Sequence, residues 1–92
     1  MSDSETPNWG KIKWESRRGM RELDLMLLPF VEHDLPGMSA QDIADYMELL
    51  TASDLELCRF FHGTAEPDTP SRRRMVAMIV KCHEGRRGTE GV

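Results

Sequence analysis

The segment from Arg17 to Asp24 combines charges of both signs around a glycine. It reads Arg-Arg-Gly-Met-Arg-Glu-Leu-Asp, so three arginines and two acids share eight positions. Guanidinium groups bind carboxylates and phosphates through paired hydrogen bonds, and a glycine lets a partner approach the backbone closely. The pattern therefore predicts a surface for a charged partner, made of Arg17, Arg18, Gly19, Glu22 and Asp24.

A helix start is the structural alternative for the same residues. Gly19 precedes Glu22 by three positions, as an N-cap precedes the acid of a capping box. Glu22 and Asp24 in the first turn would complement the positive end of the helix dipole, and ion pairs along the helix would add about 0.2 to 0.5 kcal/mol each. Capping explains the acids better than the arginines, so both interpretations stay open at this point. A proton-shuttle role for Glu22 is the weaker idea, because its position already explains its charge.

Catalytic and metal-binding signatures are weak in this chain. There is no glycine-rich phosphate loop, no HExxH helix and no nucleophile in a familiar setting, so we expect no enzymatic activity. The spacing of His33, His62 and His83 with Cys58 and Cys82 does not resemble the paired ligands of zinc sites, so no metal is expected. The two cysteines lie in apolar patterns without a CxxC motif, which favours reduced core thiols.

A second basic cluster, Arg72 to Arg74, falls in the first turn of a predicted helix, where cations oppose the dipole. A solvated face is the favoured explanation, and a binding role is the alternative. Together the two arginine clusters suggest a second function class, a small helical module that binds nucleic acid, or a general protein-interaction module. The net charge of -4 counts against nucleic acid and favours a protein partner.

Composition predicts one small domain. The chain has 92 residues, of which 39% are hydrophobic, so we expect a single domain over residues 1–92 with an ordered core at about 9–84 and flexible tails. The longest apolar run, residues 25–31, is interrupted by a proline and is too short to span a bilayer. Residues 1–10 contain acids but no lysine or arginine, which disfavours a targeting signal. We therefore expect a bacterial cytoplasmic protein.

The apolar residues recur with helical spacing, and no run alternates as a β-strand does, so the sequence predicts an all-α fold. A first helix is expected at about residues 9–17, where Trp14 is free to face either the core or a partner. A second is expected at about 20–33. Pro29 lacks a backbone donor, so a kink is predicted near residues 25–29.

Three further helices have start signals. Serines precede acids by three residues at Ser39 and Ser53, so helices are expected over about residues 39–50 and from Ser53 to a glycine cap at Gly63. The last helix is expected to start at Thr69 with Pro70 in its first position. Glycines 85 and 88 are expected to end it, before a frayed tail.

In the segment around Gly19 the chain resembles a known family, the small succinate dehydrogenase assembly factors that promote flavinylation. The family's Arg-Gly-x-x-Glu motif, preceded by a tryptophan and another arginine, reads here from Trp14 to Glu22, and an apolar helix follows it. The likeness continues more loosely through residues 46–50, 54–55 and 60–63. The chain departs from many relatives at residues 51–54 and in having two phenylalanines at 60–61 where a tryptophan is common.

The resemblance implies a compact five-helix bundle that binds the flavoprotein subunit of succinate dehydrogenase or fumarate reductase and assists covalent attachment of FAD. In that chemistry a histidine of the flavoprotein attacks the 8α position of the flavin, which needs stabilised negative charge on the flavin and an aligned nucleophile. Arg18, Gly19 and Glu22 carry the family motif, with Arg17 and Asp24 as weaker candidates. We expect a monomer without tightly bound cofactor; a direct FAD carrier is a third interpretation, which lacks a phosphate-binding loop.

Overall fold

The computed structural model describes the backbone of residues 7–90 and the side chains of residues 7–86. This part of the chain forms five α-helices and contains no β-strand, which confirms the all-α fold. Predictions about the tails at residues 1–6 and 91–92 lie outside the described residues. The helices are α1 (Trp9–Ser16), α2 (Arg21–Pro29), α3 (Ala40–Leu49), α4 (Asp54–His62) and α5 (Pro70–Glu90).

Gly19 forms the corner between α1 and α2. Its φ of 80° lies in the left-handed region, which glycine enters without the penalty of a Cβ atom. The prediction that Gly19 acts as the N-cap of α2 is wrong, because Met20 occupies that position without a side-chain cap. Glu22 and Asp24 do lie in the first turn, as predicted. The glycine is therefore needed for the direction of the chain and does not cap the helix.

The second helix is interrupted at Pro29, but not in the way the sequence predicted. The α-helix ends at Pro29, and the chain continues as a π-helical turn at Phe30–Asp34 and a 3-10 turn at Leu35–Gly37. The predicted single helix over 20–33 is therefore wrong beyond Pro29. A proline cannot donate to the α-helical ladder. The wider turn that follows lets Leu35 N–H reach Phe30 O and buries Phe30 and Val31.

Local capping signals are confirmed in α3 and α4. Ser39 accepts a hydrogen bond from Asp42 N at 3.1 Å, and Ser53 forms a complete capping box with Glu56. Gly63 ends α4 in the left-handed conformation, with φ 76°. These features depend only on neighbours in the sequence, which is why the sequence predicts them well.

The start of α5 is confirmed and its predicted end is wrong. Thr69 Oγ1 accepts a hydrogen bond from Arg72 N at 3.2 Å, and Pro70 takes the first helical position. The helix then continues through Gly85 and Gly88. A glycine costs about 1 kcal/mol relative to alanine inside a helix but keeps its backbone donor, so it weakens the helix without ending it. An ion pair between Arg86 and Asp34 attaches this end of α5 to the π-helical turn.

The core lies where α2, α3 and α5 meet, with α1 and α4 packed against its sides. Phe30 and Tyr46 pack at its centre with their ring centroids 5.5 Å apart. Among the described residues, no helix is both long and apolar enough to cross a membrane. The buried apolar residues are Ile12, Leu23, Leu27, Phe30, Val31, Leu35, Tyr46, Leu49, Leu50, Ala52, Leu57, Met75, Val76 and Ile79.

Candidate functional site

Arg18 is held inside the molecule by several hydrogen bonds. Its Nε donates to Asp54 Oδ1 at 2.7 Å, and its two terminal nitrogens donate to backbone carbonyl oxygens. Only 16% of the side chain is exposed. Arg18 therefore joins the corner after α1 to the turn between α3 and α4. Its carbonyl partners are those of Glu15, Leu50 and Ala52, at 3.0 to 3.2 Å.

The end of α1 is also attached to α3 by a buried hydroxyl pair that the sequence analysis missed. Ser16 Oγ lies 2.6 Å from Tyr46 Oη and donates to Ile12 O at 2.7 Å. The tyrosine is therefore the donor to the serine. Burial raises the pKa of Tyr46 well above its usual value. Both residues are fully buried, so this contact fixes the position of α1 against the core.

Asp24 also stabilises the corner between α1 and α2. Its Oδ1 accepts a hydrogen bond from the backbone N of Arg18 at 2.9 Å. This contact holds the chain across the left-handed turn at Gly19. An alanine Cβ at Gly19 would meet nothing within 4 Å, so the space in front of the glycine is open. The hydrogen bond with Asp24 thus holds the backbone at the corner on its inner side, and the outer side of Gly19 is open.

Glu22 and His62 meet on the surface beside this corner. His62 Nε2 lies 3.0 Å from Glu22 Oε2, and their side chains are 54% and 64% exposed. The two residues belong to different helices, α4 and α2, and are 40 positions apart in the sequence. The sequence analysis treated Glu22 as a site residue, but it gave His62 no part in the site.

Arg17 and Arg21 differ from Arg18 in that their side chains are exposed and make no ion pair or side-chain hydrogen bond with the described part of the chain. Arg17 lines a groove with Trp14 and Leu28, and Arg21 lines a neighbouring groove with Gly19 and Leu28. These two guanidinium groups therefore remain available to a partner.

Large apolar side chains surround the same corner. Trp14 is 76% exposed, Leu25 is 53% exposed and Met20 is 39% exposed. Trp14 therefore faces solvent, which settles one question that the sequence left open. Clustered apolar side chains with a charged border are typical of protein interaction sites. We call this surface the corner face; it consists of Trp14, Arg17, Gly19, Met20, Arg21, Glu22, Leu25 and Leu28.

The second arginine cluster serves a structural purpose. Arg72 forms a bidentate ion pair with Glu48, with hydrogen bonds of 3.0 and 3.1 Å. Arg74 lies 2.8 Å from a carboxylate oxygen of Asp42 and 2.6 Å from one of Asp45. Hydrogen bonds from Gln41 and from Arg74 lower the pKa of Asp45. Arg72 and Arg74 join α5 to α3, because tertiary packing brings the carboxylates of α3 beside them. The predicted solvated face holds for Arg73 and Arg74, whose side chains are 44% and 45% exposed, and not for Arg72, whose side chain is 14% exposed. Arg73 in turn donates to Pro67 O at 2.9 Å and lies 4.0 Å from Glu66.

The remaining candidates for chemistry are dispersed. Cys58 and Cys82 are unbridged and partly buried, and burial is the main cause that raises the pKa of each thiol. Within the described residues, no group of three or more histidines, cysteines and acids is arranged to hold a metal ion. The corner face is thus the strongest candidate site on the described surface.

Comparisons with known proteins agree with the motif at the corner. A family model described as the flavinator of succinate dehydrogenase matches residues 10–83. The FAD assembly factor SdhE of Pseudomonas aeruginosa is 43% identical over 70 residues, covering 76% of this chain and 83% of that protein. The protein of the same name from Pectobacterium atrosepticum is 36% identical, over 82% of this chain and 85% of that protein. The one from a Serratia species is 35% identical, over 86% of this chain and 90% of that protein. The chain therefore belongs to the family of succinate dehydrogenase flavinators.

Proposed function

We propose that this protein is a non-catalytic assembly factor that binds the flavoprotein subunit of succinate dehydrogenase or fumarate reductase and promotes covalent attachment of FAD to it. Family membership supports this assignment. We further propose that the protein acts as a monomer in the bacterial cytoplasm and holds no cofactor tightly of its own.

The observation that carries the proposal is the corner face. Gly19 presents an open backbone, the guanidinium groups of Arg17 and Arg21 have no partner within residues 7–86, and Trp14 and Leu25 expose apolar surface beside them. Aromatic and arginine side chains contribute most to protein interfaces. Such a combination suits a folded protein surface that carries acidic and apolar groups.

The residues of the motif divide into two groups with different proposed roles. Gly19 and Glu22 face outward, so we assign them to contact with the flavoprotein, together with Arg17. Arg18 and Asp24 face inward and hold the backbone on either side of Gly19. We therefore assign these two to the shape of the site. Arg18 was expected to bind the partner through its guanidinium, and its internal contacts support this different role.

The chemistry that this arrangement supports is preorganisation of the partner. In the proposed reaction the flavin and the histidine that attacks it both belong to the flavoprotein, so the bundle supplies neither reactant. A rigid face that holds the flavoprotein in a reactive geometry lowers the entropic part of the barrier. Fixed charges near the flavin would also stabilise the charge that develops on it. Glu22 acts as a charged contact in this scheme and transfers no proton.

Co-expression tests the proposal. The flavoprotein subunit is expressed with and without this chain in a host that lacks its own assembly factor, and covalent flavin is scored as fluorescence of the denatured subunit in a gel. We expect fluorescence to rise several-fold with the wild-type chain. Equal fluorescence with and without the chain would overturn the proposed function.

A further inference from the structure

The contact between Glu22 and His62 brings two helix ends together on the surface. Glu22 lies in the first turn of α2, and His62 lies in the last turn of α4. A carboxylate is favoured at a helix N-terminus, so Glu22 lies where the helix dipole favours its charge. Gly63 ends α4 immediately afterwards, which fixes the place of His62 in the fold.

The contact with His62 engages one of the two carboxylate oxygens of Glu22. An ionised carboxylate only accepts hydrogen bonds, so His62 Nε2–H is the donor to Glu22 Oε2 over 3.0 Å. The other oxygen, Oε1, makes no hydrogen bond within the described chain. Since 64% of the Glu22 side chain is exposed, this oxygen is accessible to a donor from another protein.

The contact contributes little to the stability of the bundle. Both side chains are more than half exposed, and ion pairs of this kind add little to folding because water and salt screen them. What the contact does change is the freedom of Glu22. A long flexible side chain that is already held in one orientation loses less entropy when a partner binds it.

We propose that His62 is a positioning residue for Glu22: it holds the carboxylate with Oε1 directed to the flavoprotein. This inference rests on the proposed function. Through Glu22, His62 becomes part of the binding site although it comes from α4, far along the chain from the motif. It predicts that removing His62 weakens association with the flavoprotein about two- to fivefold, because the pre-ordering of Glu22 can be worth no more than the exposed contact that provides it.

The test compares His62→Ala and His62→Gln in the full-length protein. The affinity for the purified flavoprotein subunit and the rate of covalent flavin formation are measured for each variant, with His33→Ala as the matched control because His33 is exposed on another element. We expect His62→Ala to lose about two- to fivefold in affinity. His62→Gln keeps an N–H donor and should recover part of the loss, and His33→Ala should match the wild type.

A double-mutant cycle separates positioning from direct contact. If His62 acts through Glu22, His62→Ala should have no further effect in a Glu22→Ala background. A full additional loss there would mean that His62 contacts the flavoprotein itself, which would overturn the inference. Wild-type affinity in His62→Ala would also overturn it while leaving the proposed function intact. If the wild-type chain neither binds the flavoprotein nor stimulates flavin attachment, the proposed function fails and this inference fails with it.

Discussion

Among the described residues, each of the arginines at 72–74 contacts an acidic residue, whereas of the three arginines around Gly19 only Arg18 does so. In the cluster at 72–74, Arg72 and Arg74 join α5 to α3. Around Gly19, the guanidinium of Arg18 is built into the fold, and those of Arg17 and Arg21 have no partner among the described residues. The comparison teaches that a run of arginines says nothing about function until the positions of the carboxylates are known.

The largest effect is expected at Arg18. Arg18→Ala removes hydrogen bonds to Asp54 and to the carbonyl groups of Leu50 and Ala52, in a place where little water can replace them. We expect the free energy of unfolding to fall by about 2 to 4 kcal/mol, and the melting temperature by about 10 to 20 °C. Urea denaturation measures the former. Arg17→Ala is the matched control, and an equal loss in both variants would show that the two arginines do not differ in role.

The unpaired arginines should show the opposite behaviour. Arg17→Gln combined with Arg21→Gln should leave the melting temperature within a few degrees of the wild type, because neither side chain has a partner within the described fold. Affinity for the flavoprotein should fall about tenfold at low salt, and the deficit should shrink as salt rises. A binding titration at two salt concentrations checks this. Unchanged affinity at low salt would remove these residues from the site.

Tyr46→Phe tests the buried contact that holds α1 beneath the corner. Loss of the hydrogen bond to Ser16 should lower the free energy of unfolding by about 1 to 1.5 kcal/mol at neutral pH. Because burial raises the pKa of Tyr46 in the fold, the unfolded chain ionises first, near pH 10, and the wild type loses stability above that pH.

The pH dependence of the stability of Tyr46→Phe provides a check on this interpretation. Tyr46 is the chain's only tyrosine, so the difference between wild type and Tyr46→Phe should narrow above pH 10, where the wild type alone loses this contribution. Denaturation curves at pH 7 and pH 10.5, two values chosen on either side of the ionisation, provide the measurement. A constant difference would mean that the hydroxyl is not shielded from ionisation.

The smallest effects are expected at Arg74 and Arg73. Its contact helps to lower the pKa of Asp45, so the contribution of that carboxylate to stability is present above the unfolded pKa of about 3.9 and is lost as the pH falls below it. Arg74→Gln should therefore lower the melting temperature slightly at pH 7, with the difference from wild type shrinking in acid and in high salt. Arg73→Gln, whose nearest carboxylate lies 4.0 Å away, should have less effect still. A larger effect for Arg73 would contradict this order.

The sequence predicts the features that depend on neighbouring residues. The capping box at Ser53 and the glycine cap at Gly63 are examples, because their partners lie within one helical turn. The positions of most helices follow from the same signals and from helical spacing. The end of α5 does not, since glycine weakens a helix without ending it.

The candidate site was predicted only in part, because its contacts join distant residues. Arg18 and Asp54 are 36 positions apart, and Glu22 and His62 are 40 apart. The motif marked the corner as a place of unusual composition. It did not indicate that Arg18 faces inward, because an arginine suits a buried carboxylate as well as an external one. Only the packing of α1 against the turn before α4 decides whether Arg18 pairs with a carboxylate of this chain or with one of a partner.

The most direct measurement of the central claim is a time course of covalent flavin formation with purified flavoprotein subunit, free FAD and either Gly19→Ala or Gly19→Arg. Both variants impose the same backbone strain at φ 80°, and a Cβ at this position has no non-neighbouring atom of the described residues within 4 Å, so both should unfold at similar denaturant concentrations. We predict that Gly19→Ala retains most of the stimulation, whereas Gly19→Arg loses it, because only the long side chain blocks the flavoprotein. Full stimulation by a folded Gly19→Arg would contradict the claim that the corner face is the site.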